Sequence, residues 1–251
     1  MGNKNSENSF VRQEEYEPAH IMSYSRKRTV RWGIALVGAA VLVLLGVKLW
    51  ADRKYHLISF LIALLSCFLF YFSYEKREGS IRRIVLIAVM TVMAIVGRLL
   101  FMPVPAIKPV GAIVILTGIY MGPEAGFLVG SLTAVISGMT FGQGPWVAFQ
   151  MVAWGLNGFI AGLPGLRFLL RKRIPLILYG IWAGIQYSLV MDIWTLFSLD
   201  GTFAFGRYLA VLGTVVPYML AYAAANVVFL LLMVKPLGEK LQRIQIKHGI
   251  F

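Results

Sequence analysis

The chain has 251 residues, 59% hydrophobic and 14% charged, with a formal net charge of +13 and a mean hydropathy of +0.75. A soluble domain carries about 25% charged residues, so this composition excludes a disordered or collagenous chain and argues strongly against a soluble enzyme. The basic residues sit in short clusters between long apolar runs rather than on one exposed face, which is the pattern of a polytopic membrane protein and not of a nucleic-acid binder.

Residues 1–31 are polar, lack a signal-peptide core and are expected to form a mobile cytoplasmic tail. Two apolar runs, Trp32–Trp50 and Leu57–Tyr74, each approach the roughly 20 residues of a bilayer helix and predict a transmembrane hairpin over 32–75. The only cysteine, Cys67, lies in the second run, which excludes an intrachain disulfide or a cysteine metal cluster. After the charged stretch Glu75–Arg83 a span is predicted at Ile84–Phe101, followed by the Pro-rich segment Met102–Lys108. Pro109–Ser137 is too long for one span, because at about 1.5 Å per residue it overshoots a hydrocarbon core of about 30 Å. Gly122-Pro123-Glu124 interrupts it, with Gly ending one helix and Pro opening the next, so two short helices are expected. Spans at Trp146–Leu163, Ile174–Phe197 and Tyr208–Val234 complete a six-helix membrane domain over 80–236, and 237–251 reads as a basic cytoplasmic tail. The predicted class is all-α, a polytopic membrane helix bundle.

Charge distribution tests that break. With eight spans and a cytoplasmic N-terminus, the inner segments take six, four, zero, four and four of the 24 Lys and Arg. A single span over Pro109–Ser137 would turn the Arg167–Arg173 cluster and the basic C-terminus outward, against the positive-inside bias. Eight spans and two cytoplasmic termini follow. The basic runs are then topology determinants and contacts to anionic lipid.

The stretch Gly97–Gly162 carries the most specific pattern, the loop-to-helix segment Phe141-Gly-Gln-Gly-Pro-Trp146 continuing to Gln150, Trp154 and Asn157. It resembles the substrate-binding S component of energy-coupling factor (ECF) vitamin transporters, in particular the branch linked to cobalamin and its precursors, from Ile84 to about Lys235. The resemblance implies a bacterial plasma-membrane bundle with an outward-facing pocket beneath its loops. It also implies a transmembrane coupling (T) subunit and two cytoplasmic ATPases as partners, and a corrinoid as transported substrate rather than bound cofactor. Toppling of the loaded subunit would then deliver substrate inward. S components commonly dock on the coupling subunit through AxxxA spacing on the first core helix. Here the small residues Ala88, Thr91, Ala94 and Gly97 are spaced by three, which wraps around the helix, and Ala88, Thr91 and Ala94 are the docking candidates.

Ionisable residues inside a bilayer cost roughly 2.5–3.5 kcal/mol on the insertion scale, so Arg98 and Asp192 must pair or face a wet cavity. Both read as rim residues of a ligand pocket or as a structural ion pair, and Arg98 also has the option of snorkelling. Gln150, Trp154 and Asn157 fall at i, i+4 and i+7, on one face of one helix. Amides there need an answering group that lipid does not supply, either a ligand or a neighbouring helix.

The loop Gly142-Gln143-Gly144-Pro145-Trp146 has neither the Lys nor the strand–loop–helix setting of a P-loop. Its glycines permit close backbone approach, while Trp146 either stacks on a ligand or anchors the interface. Phe101, Pro103 and Pro105 form a stiff connection suited to wall the same cavity. Tyr187, Trp194, Tyr208 and Tyr218 add aromatics with polar handles, as packing, belt or ligand residues. The substrate-binding candidates are therefore Arg98, Phe101, Pro105, Phe141, Gln143, Trp146, Gln150, Trp154, Asn157, Tyr187, Asp192, Trp194 and Tyr218.

Catalysis has little support. His20, His56 and His248 fall outside the predicted spans, and there is no Ser/His pair, His-Glu-x-x-His motif, paired intramembrane carboxylate or Walker motif. The expected function is a vitamin-binding subunit without ATPase activity, for a corrinoid recognised by amide hydrogen bonds and stacking with no protein ligand on the metal. A smaller heteroaromatic substrate, such as dimethylbenzimidazole or a queuosine precursor, is the alternative within transport. A membrane scaffold is the alternative outside it, and an intramembrane enzyme comes last.

Overall fold

The computed structural model describes residues 81–248, apart from 145 and 201–203. The tail 1–31 and the hairpin 32–75 expected from the sequence lie outside the described residues. Among these the chain is all helical, with α1 (Ile81–Leu100), α2 (Val110–Met121), α3 (Pro123–Phe141), α4 (Trp146–Ala161), α5 (Pro164–Leu169), α6 (Arg173–Asp200) and α7 (Phe205–His248). By length and composition α1, α3, α6 and α7 are able to cross a membrane, while α2 and α4 are shorter apolar helices.

The expected break after residue 121 is present and has a local cause. Gly122 takes φ +92°, a conformation open to glycine, and its N–H closes α2 on the Gly118 carbonyl at 2.9 Å. Pro123 then opens α3, where its missing N–H would be unpaired in any case. All twelve residues of α2 are buried. A helix apolar on every side belongs in the interior, and α2 accordingly packs against α1, α3, α4, α6 and α7.

Close backbone approach builds this core. A Cβ on Gly158 of α4 would lie 2.4 Å from the Gly126 carbonyl of α3, and one on Gly118 of α2 would lie 2.1 Å from the Gly158 carbonyl. Three helices thus meet through glycine, which suits an environment where packing and not the hydrophobic effect drives helix association. At the Gly122 end, Arg83 of α1 pairs with Glu124 in the first turn of α3 at 3.5 Å, and both side chains are nearly buried. A carboxylate there also complements the α3 dipole.

One boundary differs from the sequence reading, and one helix is added to it. The last helix does not stop near Val234 but runs through Pro217 and Pro236 to His248, so the described part of the basic segment 237–251 is helical. Tertiary contacts override the proline penalty here: Gly238 packs against the Tyr120 ring of α2, and Leu241 is buried. At about 1.5 Å per residue α7 is about 66 Å long and α6 about 42 Å, both beyond a bare crossing. The short helix α5 was not anticipated.

Candidate binding site

The site grows from one buried charge. Arg98 stands in the last turn of α1, where a cation complements the helix dipole, and it is 7% exposed. Its guanidinium donates to the Ser137 hydroxyl of α3 and, at 3.5 Å, to Gln150 Oε1 of α4. Its Cζ also lies 4.3 Å from the Phe141 ring centroid and 4.9 Å from that of Trp154. Desolvated cation–π contacts of this kind contribute about 2 kcal/mol.

Aromatic stacking extends the group across the bundle. Trp154 stacks on Tyr187 of α6 with ring centroids 5.6 Å apart and planes 15° from parallel, and Tyr187 tilts against Tyr222 of α7 at 4.8 Å. Gln150 Nε2 donates to the Tyr187 hydroxyl at 3.2 Å, so this amide bridges the cation and the aromatic stack. Five helices deliver these seven side chains, each by a simple register: Ser137 and Phe141 at i, i+4 on α3, and Gln150 and Trp154 at i, i+4 on α4. The arrangement brings flat faces, an amide and a cation together, and contains no nucleophile–base pair. Among the described residues no cluster of three His, Cys, Asp or Glu stands ready to hold a metal.

Lys108 borders this group from the segment before α2. Gly97 sits against Pro109, where a Cβ would come within 2.5 Å of Pro109 Cγ, which holds residue 108 beside the turn that carries Arg98. Burial, and then the nearby Arg98 guanidinium, keep the Lys108 ammonium below its ordinary range.

A second aromatic group adjoins Gln150 along α4. Trp194 of α6 lies 6.4 Å from Trp146 and 5.7 Å from Phe149, with Phe197 buried beside them. The remaining candidates lie elsewhere. Phe101 packs edge-on against Phe229 at 5.0 Å, and Pro105 is exposed. Gln143 is exposed and folds back to donate to the Val135 carbonyl at 2.8 Å, while Tyr218 is 55% exposed. Asn157, 1% exposed, joins α4 to α6: its Nδ2 donates to the Ala183 carbonyl at 3.2 Å, and its own carbonyl accepts from Tyr179. Asp192 is buried with Oδ2 unbonded and forms no ion pair with Arg98, so the ion pair weighed from the sequence is absent.

The three docking candidates lie on different faces of α1. Thr91 and Ala94 are 3% and 0% exposed, and the Thr91 hydroxyl donates to its own helix at Ile87. Residues spaced by three drift around the helix, and two of the three drift into the bundle. Only Ala88 shares the outward face of α1 with Ile84, Val85, Val89, Val92 and Val96.

Ser137, Tyr222 and Lys108 were not singled out from the sequence. Ser137 is a small hydroxyl that also donates within its own helix, to Thr133. Tyr222 lies one turn from the candidate Tyr218, and only the setting of α7 against α6 separates them. Lys108 carried a signal, a lone lysine between two apolar helices.

Residues 78–243, about two thirds of the chain, match the family model described as ECF-type riboflavin transporter, S component. No curated protein and no solved structure matches.

Proposed function

The chain belongs to the ECF-type transporter S-component family, and on that premise we propose that the Arg98–Gln150–Trp154–Tyr187 cluster binds a flat heteroaromatic vitamin for uptake. Members of this family are substrate-binding subunits that work with a T subunit and ATPases, and are not themselves enzymes. The observation that carries the substrate reading is the stack of Trp154 on Tyr187 with the Gln150 amide and the Arg98 guanidinium at its edge. Such a surface matches a planar ring with hydrogen-bonding edges, since pockets for small molecules combine apolar walls with a few placed polar groups. The family model is named for riboflavin, a compound of this class.

A corrinoid is the second reading. The half-buried Trp146 and Trp194 beyond Gln150 favour it, because they extend the aromatic surface past the area one flat ring covers. Recognition would again run through stacking and amide hydrogen bonds, with no histidine on the cobalt.

The test is to purify the full chain from cells supplied with riboflavin and cobalamin, then record the visible spectrum, metal content and mass of what co-purifies. A yellow, fluorescent, cobalt-free compound supports the flavin reading, and a red cobalt compound the corrinoid one. A colourless preparation that cannot be loaded with either sinks both substrates. If it also retains no T subunit or ATPase from its own membrane, the transporter role falls with them.

A further inference from the structure

Arg98 has only neutral partners. Its two hydrogen bonds go to Ser137 and Gln150, its nearest rings are Phe141 and Trp154, and Nε is buried with no acceptor. A guanidinium has five N–H donors, so more than half its donor capacity remains open. Among the described residues no carboxylate lies within ion-pair distance of Arg98 or Lys108. Asp192, the buried acid of α6, makes no bond to either.

An intramembrane cation without a counter-charge is expensive, and a second cation beside it raises the cost. Lys108 is that second cation: half-buried and without a carboxylate partner, it stands in the chain beside the turn that carries Arg98. The Gly97–Pro109 contact holds the Lys108 backbone beside that turn. Helix dipole and π faces offset part of the charge, but neither explains why two unpaired cations are held together. A negatively charged group between them would remove the repulsion and form charge-assisted hydrogen bonds, the strong kind.

We propose that the site selects its substrate through an anionic phosphate ester seated between Arg98 and Lys108, with the flat part of the substrate on the Trp154–Tyr187 stack. The inference rests on the binding role argued above and narrows it from heteroaromatic vitamins to phosphorylated ones. Lys108 is a specificity residue in this scheme: it touches the phosphate and not the ring.

The experiment uses the purified full chain and two ligand pairs that differ in the phosphate, riboflavin against riboflavin 5′-phosphate and cobinamide against cobinamide phosphate. Equilibrium dissociation constants are measured for the unaltered protein and for Lys108→Gln. In the pair that binds, the phosphate-bearing member is expected to bind at least about tenfold more tightly. Lys108→Gln should remove most of that preference while leaving the affinity of the phosphate-free member and the thermal unfolding unchanged. Equal or tighter binding of the phosphate-free member overturns the inference and leaves the binding role intact. So does a Lys108→Gln variant that weakens both members alike. Failure of the unaltered protein to bind any of the four overturns this inference and the substrate readings together.

Discussion

Gln150 occupies the junction between charge and stack, accepting from Arg98 and donating to Tyr187. Truncating it to Ala leaves a buried guanidinium N–H without a partner and takes one hydrogen bond from the Tyr187 hydroxyl, and a buried orphan donor costs about 1–3 kcal/mol. We expect Gln150→Ala to weaken vitamin binding about tenfold or more and to lower the unfolding temperature. Asn157, on the same face of α4 two turns on, should behave differently. It ties α4 to the Ala183 carbonyl, and its Oδ1 already has no partner. Polar contacts between membrane helices average only about 0.6 kcal/mol, so Asn157→Ala should leave affinity within about twofold. Titrating both variants with the vitamin that co-purifies checks the contrast; a larger loss for Asn157→Ala would place it in the ligand's path. The two amides were indistinguishable by spacing, since helical periodicity reports a shared face and not depth.

Among the elements, the α2–α3–α4 core depends on glycine where backbones touch. Leucine at position 158 would drive its side chain into the Gly126 carbonyl, and neither backbone has room to retreat because α2 is enclosed. Overpacking typically costs about 1–3 kcal/mol and occasionally more. Gly158→Leu is therefore expected to lower the yield of monodisperse protein and the midpoint of thermal unfolding. Unchanged values would mean the helices separate more easily than their contacts indicate. The α1 surface gives a second test at this scale. Tryptophan at Ala88 adds bulk to the outward face and should reduce uptake in cells while sparing binding by the purified protein. Tryptophan at Ala94 points into the bundle and should disrupt folding itself. If Ala88→Trp leaves uptake unchanged, the coupling subunit engages another face.

For the whole molecule, every side chain of the Arg98 cluster comes from residues 98–222, and the family match begins at residue 78. A chain beginning at residue 80 is accordingly expected to bind the same vitamin with affinity within about threefold, an energy difference under about 1 kcal/mol. Isothermal titration of the shortened and full chains decides this, provided both insert. Complete loss of binding by a well-folded shortened chain would assign the N-terminal hairpin a part in the site.

The sequence by itself determined the class, the break at Gly122 and the face shared by Gln150 and Trp154. Each depends on a local property: apolar run length against bilayer thickness, the backbone freedom of Gly and Pro, and the 3.6-residue period. The family resemblance was also legible, in the Phe141–Trp146 loop and the helix it opens. Only the tertiary structure decided which aromatics and polar groups meet. Tyr218 and Tyr222 share one side of α7, and their heights are set where a Cβ on Gly184 of α6 would strike the Ala223 backbone at 2.5 Å. That contact brings Tyr222 to Tyr187 and leaves Tyr218 exposed. Likewise Arg98 meets Ser137 across 39 residues of chain, and Thr91 and Ala94 turn inward because α1 is rotated to bury Arg98. Periodicity fixes the angle of a side chain about its own helix. The rotation and height of one helix against another come from packing between distant segments, which no local pattern records.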